Sequence, residues 1–123
     1  AYIAWFVLSA TPEMLNDRPD ELAAFTRALI KAEEYIKTNP DGAMAALETA
    51  TEGLLSMETI KAKFPEAEYE IGLANGLLDI LEVQAKWVVG KGMVDAEPSR
   101  ELIKSYLATG PLEAVDASRI TLE

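Results

Sequence analysis

The sequence predicts a mostly α-helical chain with one amino-terminal strand, and two patterns carry this prediction. The first is the apolar run of residues 2–8 (YIAWFVL), which is rich in aromatic and β-branched residues and has no polar alternation. The second is a helical spacing of apolar residues through most of the remaining chain. A single strand buried on both faces leaves its backbone groups unpaired, so its neighbours are expected outside this sequence.

Residues 2–8 fit neither a secretion signal nor a membrane anchor. A signal peptide opens with basic residues, and no Lys or Arg precedes Tyr2. A membrane helix needs about 20 apolar residues, whereas this run breaks between Ser9 and Pro12. The strand interpretation therefore remains.

Helix-start signals follow the run. Thr11 before Pro12 predicts a short helix that ends near Asp17. Residues 19–37 predict a long helix, which Asn39 and Pro40 terminate. Its apolar stripe is predicted to comprise Leu22, Phe25, Leu29, Ala32 and Ile36.

The later elements follow the same rules. Asn39 is expected to cap a helix over residues 40–51, and Ser56 a short helix that ends before Pro65. Residues 66–73 are read as an extended connector or a short edge strand. Asn75 is expected to cap a long helix to Gly90. The stripe of that helix is predicted to comprise Leu77, Ile80, Leu81, Gln84 and Val88, with Trp87 beside it.

A short helix is expected over residues 98–108, followed by an irregular tail over residues 110–123. The chain has 123 residues, the length of one domain or of part of one. Half of its residues are hydrophobic, which is enough for a core.

Charge and composition limit the chemistry of the chain. The net charge of −10 disfavours nucleic acid and anionic membrane surfaces as partners. The chain has no cysteine and no histidine, which excludes disulfides, thiol chemistry, histidine metal sites and Ser-His-Asp triads within it. We therefore predict no catalytic residues, no metal site and no cofactor.

The remaining motifs do not support an enzyme. The segment VVGKGMV (88–94) lacks the spacing of a phosphate-binding loop, so its glycines are interpreted as helix stops. Three acidic groups are interpreted as solvated faces or helix-start charges rather than as sites. They are Glu33 with Glu34; Glu66 with Glu68 and Glu70; and Asp17 with Asp20 and Glu21.

One ordered series of segments points to a family. Residues 5–47 (WFVLSATPEMLNDRPDELAAFTRALIKAEEYIKTNPDGAMAAL) resemble the carboxy-terminal part of the extracytoplasmic solute-binding proteins of ABC importers. The similar branch holds the nitrate, taurine, aliphatic-sulfonate and thiamine-precursor binders, of periplasmic binding protein type II. Residues 81–94 (LEVQAKWVVGKGMV) are similar to a late helix of that family.

The resemblance implies an α/β protein with two lobes that close on a small, anionic solute, which is delivered to a membrane permease. Residues 1–123 would be its carboxy-terminal segment, made mainly of first-lobe helices after a crossover strand. The amino-terminal part of the same protein would then pair with residues 2–8. Tyr2 and Trp5 are the ligand-binding candidates implied, with burial as packing residues the alternative for both. The expected location is periplasmic or extracytoplasmic.

Two other functions remain open at this point. One is a free-standing acidic helical domain that works through protein–protein contact, as a homodimer that self-associates through the first strand. The other is an enzyme built on carboxylates. A precursor about twice this length or more would favour the receptor, whereas loss of an activity on mutating a single Glu would favour the enzyme.

Overall fold

The computed structural model describes residues 4–123, and over this range the chain is mostly helical, as predicted. Short 3₁₀ turns at Phe64–Glu66 and Ala117–Arg119 follow the fourth and seventh α-helices. The elements, in chain order, are α1 (Pro12–Asp17), α2 (Pro19–Thr38), α3 (Pro40–Ala50), α4 (Met57–Lys63), β1 (Leu73–Ala74), α5 (Asn75–Gly90), α6 (Arg100–Ser105), α7 (Gly110–Asp116) and β2 (Ile120–Thr121).

The predicted helix starts are confirmed where side-chain caps were expected. The side-chain oxygens of Thr11, Asn39 and Ser56 each accept a hydrogen bond from the amide three residues later, at 3.2, 3.0 and 3.3 Å. Each bond satisfies an amide that has no carbonyl partner inside its helix. These caps fix where α1, α3 and α4 begin.

Two predictions about the second half of the chain are wrong. Asn75 is the first residue of α5 rather than its cap, and its side-chain oxygen accepts the amide of Glu123 at 3.0 Å. The tail is not irregular either, because residues 110–121 form α7, a 3₁₀ turn and β2. Pro111 in the first turn and the buried Leu112 favour that helix.

The predicted amino-terminal strand is not formed over residues 4–8, which lie in neither strand nor helix. Tyr2, like the rest of residues 1–3, lies outside the described residues. A strand needs a hydrogen-bonded neighbour, and residues 4–8 have none in the part of the chain that the structure describes. The composition of the run favours a strand, but no ladder is present to form one.

The chain divides into two compact units, of which the first comprises residues 4–26 and Gly72–Glu123. In this unit β1 and β2 pair in parallel, with Leu73 opposite Ile120 and Ala74 opposite Thr121. The chain passes from β1 to β2 through α5, α6 and α7, which is the crossover that parallel pairing requires. Leu77, Leu78 and Leu112 are buried on these helices.

The second unit is Arg27–Ile71, which contains most of α2 together with α3 and α4. Ile30, Ala43 and Ile60 are buried there. The amide of Met57 donates to Glu48 Oε1 at 3.0 Å, which ties the start of α4 to α3. This bond and the Ser56 cap fix the turn between the two helices.

The buried face of α2 differs from the predicted stripe. Its buried residues are Ala23, Thr26, Ile30 and Glu33. Phe25, a predicted core residue, is 52% exposed. The predicted stripe is therefore rotated by one position, and part of the large apolar surface of α2 faces solvent.

On α5 the predicted stripe is confirmed at Leu77, which is buried, but not at Gln84. Leu77 and Leu78 are its buried residues, whereas Gln84 and Trp87 are exposed.

No helix within residues 4–123 combines the length and apolar character needed to cross a bilayer.

Candidate functional site

Trp5, the one predicted ligand-binding residue that the structure describes, lies against the start of α5. A Cβ atom added to Gly76 would lie 3.1 Å from Cζ2 and 3.4 Å from Cη2 of the Trp5 ring. The missing side chain at Gly76 therefore leaves the space that the indole occupies. Trp5 remains 46% exposed, so it is neither a buried packing residue nor a free side chain.

The residues after Trp5 form an uncovered apolar segment, which we call the apolar arm (residues 4–8). Phe6, Val7 and Leu8 are 96%, 62% and 70% exposed. Within the described residues, the backbone groups of residues 4–8 make no hydrogen bond. The arm thus presents apolar side chains and free backbone donors and acceptors together, which is the property of an unpaired strand.

Two glycines allow close packing around β1. Gly72 precedes the strand, and a Cβ atom there would lie 2.9 Å from the carbonyl oxygen of Arg119. Gly76 follows the strand and receives Trp5. The arm, β1 and the residues that lead into β2 therefore meet at the start of α5.

The first unit also has an apolar groove of about 350 Å³, lined by α1, α2 and the region around α7. Its described lining contains one carboxylate, Asp20, and no Lys or Arg. An anion would meet repulsion and no cation here. The groove therefore does not match the anionic solute that the sequence resemblance implies. Its apolar lining residues include Leu15, Pro19, Leu22, Ala108, Pro111 and Ala114.

Acidic residues are numerous, but within residues 4–123 no three of them converge as a cation site would require. Glu33 is the exception to the interpretation of these acids as solvated. It is 5% exposed, and its carboxylate accepts hydrogen bonds from Lys37 Nζ at 2.6 Å and from the Ile71 amide at 2.8 Å. Its role is to join parts of its own unit.

Sequence reasoning missed the contact of Glu33 with Ile71 because the two residues are 38 positions apart in the chain. It also missed the packing of the Trp5 ring against Gly76, although a glycine in the first turn of a helix is a signal that another group approaches the backbone closely. Tyr2, the second ligand-binding candidate, lies outside the described residues, so the two candidates are not brought together by any described contact.

Comparisons with known proteins add no relative to this picture. The chain matches no protein-family model, and no match was found among curated proteins or among solved structures.

Proposed function

We propose that the chain is the carboxy-terminal portion of an extracytoplasmic solute-binding protein of an ABC importer. The observation that carries this proposal is the ordered series of segments in residues 5–47, which resembles that family. The helix boundaries support it, because α1, α2 and α3 begin at Pro12, Pro19 and Pro40, the positions at which the series places its helices.

The apolar arm also supports the proposal. In a receptor of this kind, residues 2–8 would be an interior strand of the first lobe, flanked by strands from the amino-terminal part. An interior strand carries apolar residues on both faces and bonds on both edges. The arm has the side chains for that role and unused backbone groups to match it.

The parallel pairing of β1 and β2 through a helical crossover is a feature of α/β proteins. Two residues per strand form a small sheet, and parallel sheets are usually larger and covered on both faces. The pair is consistent with a chain whose remaining sheet is supplied by another part of the same protein.

In the proposed mechanism, a small anionic solute bridges two lobes and stabilises the closed state through its higher affinity for that state. The closed receptor then delivers the solute to the permease. Trp5 would contribute an aromatic surface at the edge of the cleft, and Tyr2 is the second proposed ligand contact.

The test is solute binding by the intact gene product, measured by calorimetry with taurine, nitrate, an alkanesulfonate and a thiamine precursor. We expect one of these classes to bind, and Trp5→Ala to weaken binding with an unchanged melting temperature. Trp87→Ala is the matched control, since Trp87 is also exposed and belongs to the same unit. A gene product no longer than this chain, without affinity for any of the four, would contradict the proposal.

The rival function is a free-standing acidic interaction domain. The same exposed arm favours it, because an uncovered apolar segment in a soluble chain marks a contact surface. Gene length separates the two functions, since only the receptor requires a longer product.

A further inference from the structure

We propose that the apolar arm is a self-recognition site at which a second copy of this chain binds by antiparallel strand pairing. This inference competes with the interior-strand role of the same residues in the proposed receptor, where strands of the amino-terminal part would occupy the backbone groups of the arm. It rests on the backbone and side chains of the arm and on the charges of the segment that follows it.

The backbone supplies the affinity for an extended partner. Residues 4–8 make no described hydrogen bond, so their donors and acceptors are available for a strand ladder. Exposed ladder groups beside apolar side chains are a template for pairing with another chain. The arm contains no proline, no glycine and no charge, the composition of segments that pair with themselves.

The side chains divide the arm into two faces. Exposure alternates along it, with Trp5 and Val7 less exposed than Phe6 and Leu8. Trp5 faces α5 at Gly76, so the face that carries Phe6 and Leu8 is the open one. In an antiparallel pair centred on Phe6, the two Phe6 rings lie opposite each other and Ala4 lies opposite Leu8 of the second copy. Cross-strand aromatic pairs of this kind stabilise a sheet.

Charge decides the direction of pairing. Residues 1–12 contain no charged side chain, whereas Glu13, Asp17, Asp20 and Glu21 follow, with Arg18 as the one cation among them. A parallel pair would bring both acidic segments to the same end of the ribbon, where they repel. An antiparallel pair places them at opposite ends. It also forms a closed two-fold dimer, in which the same surface serves both copies.

Sedimentation velocity over a range of concentrations tests whether the chain associates. We expect a monomer–dimer equilibrium, and we expect Val7→Pro to raise the dissociation constant by about tenfold or more, because proline removes a ladder donor. Leu54→Lys is the control, since Leu54 is an even more exposed apolar residue (87%) and lies in the second unit. Circular dichroism checks that both variants keep their helices.

Cysteine cross-linking tests the register, because the chain has no cysteine of its own. Phe6→Cys should cross-link with itself, and Ala4→Cys should cross-link with Leu8→Cys when the two variants are mixed. Ala4→Cys alone should cross-link poorly. A chain that stays monomeric at every concentration overturns the proposal. So does association that is unchanged by Val7→Pro, or efficient cross-linking of Ala4→Cys with itself.

Discussion

The carboxylate of Glu33 accepts a hydrogen bond from the backbone amide of Ile71 at 2.8 Å, across 38 residues of sequence. The other oxygen of the same carboxylate accepts from Lys37 Nζ at 2.6 Å. Glu33 is 5% exposed, so its carboxylate is shielded from water, although Lys37 at the other end of the ion pair is exposed. This carboxylate holds the end of the connector that precedes β1 against α2, within one unit.

Replacement of Glu33 should destabilise the second unit. Glu33→Ala removes the two described charge-assisted hydrogen bonds at a buried position, and we expect a loss of about 2 kcal/mol or more in the free energy of unfolding. Glu33→Gln should lose less, since the amide oxygen still accepts one bond. Urea denaturation measures both variants. Glu34→Ala is the control, because Glu34 is the exposed neighbour on the same helix. Equal stability of the Glu33→Ala and Glu34→Ala variants would contradict this role.

Glu33 also shows which contacts could not be predicted from the sequence. Helix starts at Thr11, Asn39 and Ser56 were predictable because each cap and its amide lie three residues apart. The helical composition was predictable for the same local reason. The partner of Glu33 was not, since a contact between residues 33 and 71 leaves no periodic trace in the chain.

Faces of helices were predicted less well than their boundaries. The stripe containing Phe25 and Leu29 is the most apolar line along α2, yet Ala23, Thr26 and Ile30 are buried instead. The helical pattern identifies the apolar side of a helix, but it does not say how much of that side the described chain covers. Residues 4–8 show the same limit. Their composition favours a strand, but composition does not show whether a hydrogen-bonded partner strand is present.

Gly72 should not tolerate a side chain. A Cβ atom there would lie 2.9 Å from the backbone oxygen of Arg119, and backbone beside a strand cannot move aside easily. We expect Gly72→Ala to lower the free energy of unfolding by about 1–3 kcal/mol, through separation of β1 from β2. Gly90→Ala is the matched control, since no atom lies within 4 Å of a Cβ at that position. Thermal unfolding compares the melting temperatures of the two variants. Equal melting temperatures would refute the steric role of Gly72.

Gly76→Ala should act on Trp5 rather than on the fold. Its Cβ would lie 3.1 Å from the indole, which belongs to a segment without described hydrogen bonds and can shift. Alanine also favours helix over glycine by up to about 1 kcal/mol. We therefore expect stability to be kept or raised while the Trp5 emission moves to longer wavelength. The Trp87→Phe background isolates the Trp5 signal. Emission that does not change would place Trp5 away from Gly76.

Arg100 should couple α6 to α5. Its Nη1 donates to Asp79 Oδ1 at 2.8 Å and also to Glu82, whose side chain is 29% exposed. Because both ion pairs of Arg100 are reached by solvent, we expect Arg100→Met to lower the free energy of unfolding only slightly. The loss should shrink in 1 M salt, which screens exposed ion pairs. Denaturation at low and high salt measures it, with Lys104→Met on the same helix as the control. A loss that does not depend on salt would show that Arg100 acts through packing.

Asp116 should make stability depend on acid. Hydrogen bonds from the Ser118 hydroxyl and amide, and the nearby Arg119 guanidinium, hold the pKa of Asp116 below its ordinary value. A carboxyl group with a lowered folded pKa stabilises the fold above its unfolded pKa, and that contribution is lost as pH falls through the folded value. We expect Asp116→Asn to be less stable than the unmodified chain at pH 7. The difference should begin to shrink as the pH falls below about 4, near the unfolded pKa, and be lost once the pH is below the lowered folded pKa. Urea denaturation across this range measures the difference, and Glu113→Gln on α7 is the control. A difference that does not shrink on acidification would show that the charge of Asp116 is not what stabilises the turn before β2.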